Sequence, residues 1–210
     1  MAAEAQRPTD EELARDARAG REAAFEALVC RYENPVFLFL RARTGNVHDA
    51  EDLTQQTFVK VYRSLNRYDA KYRFKPWLYT IAGRLAVSHY RVRTAVPVEP
   101  GALDAVDPRT PDLDLSASEA AGRLWDWARL RLKPGEFTAL WLRFQEDLSV
   151  AEIATTMQKT HGHVKVLLFR GRRRLLAAHR RAGDTDAVDE VVAPPASSLV
   201  AGFAQGGEVR

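Results

Sequence analysis

At 210 residues and 46% hydrophobic content the chain has enough apolar material for one or two ordinary cores, which excludes a disordered polymer. Its formal net charge is only +3, so a polyanionic partner has to be argued from where the charges sit. A single cysteine excludes a disulfide framework, and no apolar run reaches the length of a membrane span. The N-terminus lacks a basic segment followed by an apolar one, so a cytoplasmic protein is expected.

Thr9 followed by Glu12 forms a capping box, after which Leu13 opens a first helix. A second helical pattern runs through Phe25, Leu28, Val29, Tyr32, Val36, Phe37 and Leu40 to Thr44, kinked by Pro35 and ended by Gly45. Cys30 is placed on this stripe as a buried small hydrophobe. Asn46 caps the third helix, whose N-terminal Asp49, Glu51 and Asp52 suit the positive end of the helix dipole. Its apolar stripe is Ala50, Leu53, Phe58, Val61, Tyr62 and Leu65, while Asp52, Gln55, Gln56, Val59 and Arg63 recur at helical spacing on a separate face. After a loop around Asp69 to Arg73, a further helix is expected from about Lys75 to Arg93, with Trp77, Leu78, Ile81 and Leu85 inward.

Pro97, Pro100, Pro108 and Pro111 then interrupt any helix while acids replace bases, which reads as a flexible linker. Helical signals resume with Leu124, Trp125 and Ala128, and again after Pro134 with Phe137, Leu140, Trp141 and Phe144. Ser149 and Glu152 make another capping box for a short helix bearing Ile153, Ala154 and Met157. A turn at Gln158 and Lys159 leads to Thr160, the cap of a last helix with Val164, Leu168, Gly171 and Leu175 inward. The expected fold is all-α: a first helical domain over 1–95, a linker over 96–117, a helix-turn-helix domain over 118–182 and a tail over 183–210.

Two constellations carry chemistry. The first interleaves Tyr62, Tyr68, Tyr72, Phe74, Trp77 and Tyr79 with Arg63, Arg67, Lys71, Arg73 and Lys75; rings offer stacking surfaces to unpaired bases and cations track phosphates. Tyr62, Phe74 and Trp77 fall on inward stripes and are assigned to the core, leaving Tyr68 and Tyr72 as the rings for bases. Thr80, Arg84, Val87 and Arg91 share a stripe of the following helix that can run along DNA, with Ser88 and Arg93 beside it. The second constellation is the helix-turn-helix, a major-groove reader in geometry. His163, Val166, Leu167, Arg170 and Arg174 point outward, Thr160 and His161 offer free backbone amides, and Lys165 and Arg173 add charge. Between Arg170 and Arg181 no acid occurs, and phosphate backbones relieve such a cluster with counterion release.

The segments DAEDLTQQTFVKVYRSL and FKPWLYTIAGRLAVSHYRVR resemble the second conserved region of bacterial sigma factors of the extracytoplasmic-function (ECF) class. RLKPGEFTALWLRFQEDLSVAEIATTM with THGHVKVLLFRGRRRL resembles the fourth, and the likeness spans roughly Asp10 to Arg181. The resemblance implies that the Asp52, Gln55, Gln56, Val59 and Arg63 face docks on the clamp helices of core RNA polymerase, with the polymerase flap a further contact. It implies that the Tyr68 to Lys75 loop and the Arg84 to Arg93 helix recognise and melt the minus-ten element, and that the Thr160 helix binds the minus-thirty-five element as duplex. It also implies that the acidic linker threads the channel of nascent RNA; a merely solvated tether is the alternative.

Where this chain has Gln56, Arg84 and Ser88 the family often has Glu, Asn and Asp, so its minus-ten base preference is not carried over. Val166 and Leu167 can touch thymine methyls but cannot hydrogen-bond a base. An anti-sigma factor is a possible partner. The tail admits two readings, disorder or restraint of DNA binding, with Val188, Val191 and Val192 on the Val166 and Leu167 surface and its acids over the arginines. No catalytic constellation appears, and His161 and His163 lack the one-turn spacing that lets two imidazoles share a metal, so neither enzyme activity nor cofactor nor metal is expected. Two other functions stay open: a helix-turn-helix regulator independent of polymerase, and a sigma-like decoy that binds without initiating.

Overall fold

The computed structural model describes residues 7–95 and 115–182, and among them there is no strand. Helices α1 (Asp10–Arg18), α2 (Glu22–Thr44), α3 (Val47–Ser64) and α4 (Phe74–Ala95) form the first half, with a 3-10 turn at Leu65–Arg67. Helices α5 (Leu115–Arg129), α6 (Pro134–Phe144), α7 (Val150–Met157) and α8 (His161–Ala182) form the second. The all-α, two-part architecture ending in a helix-turn-helix is the expected one. The linker expected over 96–117 lies outside the described residues up to 114, and its last three positions, 115–117, are instead the first residues of α5; the tail reading of 183–210 lies outside the described residues.

Local capping sets most boundaries. Thr9 Oγ1 accepts from the Glu12 amide at 3.2 Å while Glu12 returns the bond to the Thr9 amide at 2.8 Å. The Asn46 side chain accepts from the Asp49 amide at 3.0 Å, and Gly45 ends α2 at φ 74°, a left-handed conformation that strains any residue with a Cβ. α2 carries Pro35 in its interior without breaking. One turn earlier its Arg31 and Tyr32 side chains both bond the Asp10 carboxylate, which fixes α1 against α2.

The inward stripe of α2 is Leu28, Tyr32, Val36, Phe39 and Leu40. Cys30, expected inside, is exposed: two residues from both Leu28 and Tyr32, it lies about 200° around the helix from each. On α3 the buried set is Ala50, Leu53, Thr54, Thr57, Phe58 and Val61. Tyr62, also expected inside, is 53% exposed, because it lies one position round from Val61; its ring leans edge-on against Phe25 at 5.0 Å between centroids.

The two halves do not stand apart. Their buried side chains make one continuous core. The Phe39 and Trp141 rings meet at 5.9 Å, α7 packs along α4, and the Thr156 hydroxyl donates to the Pro76 carbonyl at 3.2 Å. Arg129 of α5 lies over the α2 terminus, its guanidinium 2.6 Å from where a Cβ on Gly45 would sit. Arg43 of α2 donates to the Thr138 hydroxyl on α6, and burial lowers its pKa to about 10.

Candidate nucleic-acid and protein interface

The α3 stripe is built as its spacing predicts. Asp52, Gln55, Gln56, Val59 and Arg63 are all exposed, and they follow one another at one-turn intervals. Val59 is 51% exposed, and Tyr62 stands beside the same surface. An apolar side chain flanked by amides and charges is the composition of a protein contact.

Below α3 the chain turns at Asp69. Its carboxylate accepts from the Lys71 amide at 3.0 Å and its carbonyl from the Tyr72 amide at 3.0 Å, so a short Asx turn pushes Lys71, Tyr72 and Arg73 into solvent. Tyr72 is 70% exposed and can stack on a base. Tyr68 cannot: it is 3% exposed, packed against Phe74 and Trp77 at 5.6 and 5.0 Å. Its hydroxyl donates to the Tyr72 carbonyl at 2.6 Å, and burial, with Glu11 and Asp10 nearby, pushes its pKa up to about 12. The assignment of Tyr68 to base contact is therefore corrected: it is the strut under the loop that presents Tyr72. The reason is that the chain after Arg67 turns back over the α4 terminus, whose Phe74 amide is capped by Glu11 of α1 at 2.9 Å.

Along α4, Arg84, Val87 and Ser88 are exposed, and Thr80 is half-buried with its hydroxyl bonded to the Pro76 carbonyl at 2.8 Å. The side chains of Arg91 and Arg93 lie outside the described residues. Tyr90, which lies off the Thr80 to Arg91 stripe, is exposed on the same helix.

Arg73 and Lys75 are not open to solvent alone. Arg73 Nη1 lies 2.9 Å from Glu152 Oε1 of α7. Lys75 Nζ lies 3.5 Å from Glu146 Oε2 and 3.4 Å from the Glu146 carbonyl. Glu146 is buried and also accepts from Trp141 Nε1 at 3.3 Å. The Tyr79 hydroxyl faces it without a well-formed hydrogen bond; burial, then the Glu146 charge, drives its ionisation upward. For Glu152, burial would raise the pKa, but the Ser149 amide and hydroxyl and the Arg73 guanidinium outweigh it and hold it below the ordinary range. No local pattern points to Glu146 or Glu152, because their partners lie 71 and 79 residues away.

In the second half, the turn between α7 and α8 closes on Gln158, in the left-handed region at φ 52°. The Thr160 hydroxyl accepts from the His163 amide at 3.2 Å and caps α8. Thr160, His161, His163, Lys165, Val166, Arg170 and Arg173 are exposed. Two residues expected to face DNA do otherwise. Leu167 is half-buried over Gly135, its two methyls 3.7 and 3.8 Å from where a Cβ on that glycine would sit, because it flanks the Val164 and Gly171 stripe. Arg174 reaches Glu136, with Nε 3.2 Å from a carboxylate that is 3% exposed. That same carboxylate accepts from the Lys133 amide at 3.0 Å. Phe169, 64% exposed, is a further large apolar side chain on the surface of α8, one that the inward stripe gives no reason to expect there. Among the described residues no group of His, Cys, Asp and Glu could hold a metal ion, and no helix is long and apolar enough to cross a membrane.

Residues 28–96 match the family described as Sigma-70 region 2, and residues 130–175 match Sigma-70, region 4. The ECF RNA polymerase sigma factor BldN of Streptomyces coelicolor is 36% identical over 168 residues, covering 78% of this chain and 63% of BldN, so the chain spans a little under two thirds of that relative's length. The ECF RNA polymerase sigma factor SigW of Bacillus subtilis is 30% identical over 170 residues, covering 74% of this chain and 89% of SigW. Among solved structures, CnrH in complex with the cytosolic domain of CnrY superposes with a TM-score of 0.61 at 24% identity, over 84% of this chain and 99% of that one, a likeness of fold.

Proposed function

Because the chain belongs to the ECF sigma factors of the sigma-70 family, we propose a division of labour among its surfaces in directing promoter-specific transcription initiation. The exposed α3 stripe docks on core RNA polymerase, at the clamp helices, with Val59 as apolar centre and Asp52, Gln55, Gln56 and Arg63 as polar rim. The Lys71 to Lys75 loop, with Tyr72 at its tip, holds the melted minus-ten strand, and Arg84, Val87 and Ser88 of α4 follow the adjoining duplex. The outer face of α8, with Lys165, Arg170 and Arg173, grips the minus-thirty-five element, while Val166 contributes apolar contact rather than a hydrogen-bond code. The chain works in the cytoplasm, without catalytic chemistry or cofactor of its own; a second contact on the polymerase flap and control by an anti-sigma factor belong to the same reading.

One observation supports this most: a strut-held, solvent-facing aromatic flanked by cations sits in the same half as an exposed mixed stripe on α3, with a basic helix-turn-helix in the other. The decisive experiment adds the purified chain to core polymerase on a template carrying its own upstream region. Run-off transcript is expected. Duplex binding with no polymerase association would favour an independent regulator, and polymerase association without transcript would favour a decoy.

A further inference from the structure

Helices α2, α5 and α6 leave a cavity of about 220 Å³ between them where the two halves meet. A pair of indoles lines it, Trp125 of α5 and Trp141 of α6, with ring centroids 4.7 Å apart. Both indole N–H groups are committed elsewhere, Trp125 to the Gln145 side-chain oxygen and Trp141 to the Glu146 carboxylate, each at 3.3 Å, so the rings offer the cavity apolar surface. The room comes from two small residues, Ala42 of α2 and Gly122 of α5. Gly122 is inside a helix, where glycine costs stability that alanine would not, yet no neighbouring element comes within 4 Å of where its Cβ would sit. Close packing demands no glycine there, in contrast to Gly171; what Gly122 preserves is open space.

Two opposite charges line the same space from different helices, Arg41 of α2 and Asp126 of α5, and both are half-buried. Among the described residues neither belongs to an ion pair, so a cation and an anion flank the indoles without closing on one another. Gln145, exposed at the rim, has its oxygen engaged by Trp125 and keeps its amide N–H groups to donate. A ligand that satisfies this lining needs a carboxylate for the Arg41 fork, an ammonium for Asp126 and an apolar body for the rings. We propose that the cavity binds a small zwitterion with an apolar side chain, an amino acid of the phenylalanine kind, its carboxylate on Arg41, its ammonium on Asp126 and its side chain against Trp125 and Trp141. The volume lies below the ~300–1,000 Å³ of pockets for drug-sized ligands, which suits a single amino acid rather than a larger cofactor. Because α2 belongs to the first half and α5 and α6 to the second, the occupant touches both and stabilises their junction in proportion to its own concentration.

The full-length chain is titrated calorimetrically with L-phenylalanine, phenylacetate and phenethylamine, and its urea midpoint is followed with each. L-phenylalanine is expected to bind saturably below about 10 mM and to raise the midpoint. The acid that lacks the ammonium and the amine that lacks the carboxylate should each bind about three- to ten-fold more weakly. Gly122→Leu fills the space and favours the helix, so it should weaken L-phenylalanine by more than about ten-fold with a midpoint equal to or above that of the unaltered chain. Arg41→Gln should weaken L-phenylalanine by about three- to ten-fold and leave phenethylamine unchanged, and Asp126→Asn should do the same while leaving phenylacetate unchanged. No saturable binding of L-phenylalanine, equal binding of all three compounds, or binding that survives Gly122→Leu in a folded chain would overturn the site. If Gly122→Leu does not fold, the two charge variants decide: a loss that falls on all three compounds alike, or on none, refutes the assignment.

Discussion

Replacing Tyr72 with Ala and Tyr68 with Phe tests the proposal that the exposed ring stacks on a base while the buried ring holds the loop. Tyr72 is 70% exposed, so its removal costs the fold within about 0.5 kcal/mol, as for other surface positions. If one base stacks on it, strand binding falls by ~1–3 kcal/mol, or about 5- to 150-fold. Tyr68→Phe keeps the buried ring and its contacts with Phe74 and Trp77 but deletes the hydroxyl that bonds the Tyr72 carbonyl at 2.6 Å. Losing one such bond costs about 0.5–1.5 kcal/mol of stability. Its effect on DNA is indirect, through a looser loop, and should stay under about three-fold. Urea unfolding of the full chain gives the stability changes, and open-complex formation with core polymerase gives the DNA effects. If Tyr68→Phe impairs opening more than Tyr72→Ala, or Tyr72→Ala unfolds the chain, the strut assignment is wrong.

Asp52→Arg, on the exposed α3 stripe, is expected to weaken core polymerase binding in a pull-down while leaving the urea midpoint unchanged; unaltered affinity would remove the docking assignment. Arg170→Ala should weaken duplex binding and reduce the salt slope by roughly 0.9 without loss of stability. Arg174→Ala should do the reverse, costing ~1 kcal/mol because it strands the buried Glu136 carboxylate, the figure kept low because Arg174 itself is half exposed. Gly171→Ala would place a Cβ 2.7 Å from Leu140 Cδ1, 3.3 Å from Leu140 Cγ and 3.4 Å from Glu136 Cβ. Overpacking of ~1–3 kcal/mol exceeds the ~1 kcal/mol an alanine gains in a helix, so a lower midpoint is expected, and a higher one would show that Leu140 yields freely.

Short-range interactions are the part of this fold that the residues announce. Thr9, Asn46, Ser149 and Thr160 each accept from an amide three residues on, and Gly45 ends its helix, all within one turn of the sequence signal. The exposed α3 stripe follows from periodicity in the same way. Tyr62 and Leu167 sit at the flank of a stripe, where an error of one position in helix rotation exchanges core for solvent, whereas Cys30 lies on the face opposite Leu28 and Tyr32. Tyr68 lies where no periodicity applies, and its burial depends on how the loop folds back on Phe74. The junction of the halves is hidden for a different reason: Lys75 and Glu146 carry no mark of one another, and a basic residue beside an aromatic reads as solvent-facing until its distant partner is known.

Glu152 occupies two positions at once, as the N3 residue that closes the Ser149 cap and as the anion against Arg73. A change to alanine there would fray the first helix of the reading motif and unload the opposite half together, so its phenotype would be uninterpretable as a defect in either. An amide dissociates the two effects: it keeps the oxygen that accepts from the Ser149 amide and removes the charge that faces Arg73 across the junction of the halves.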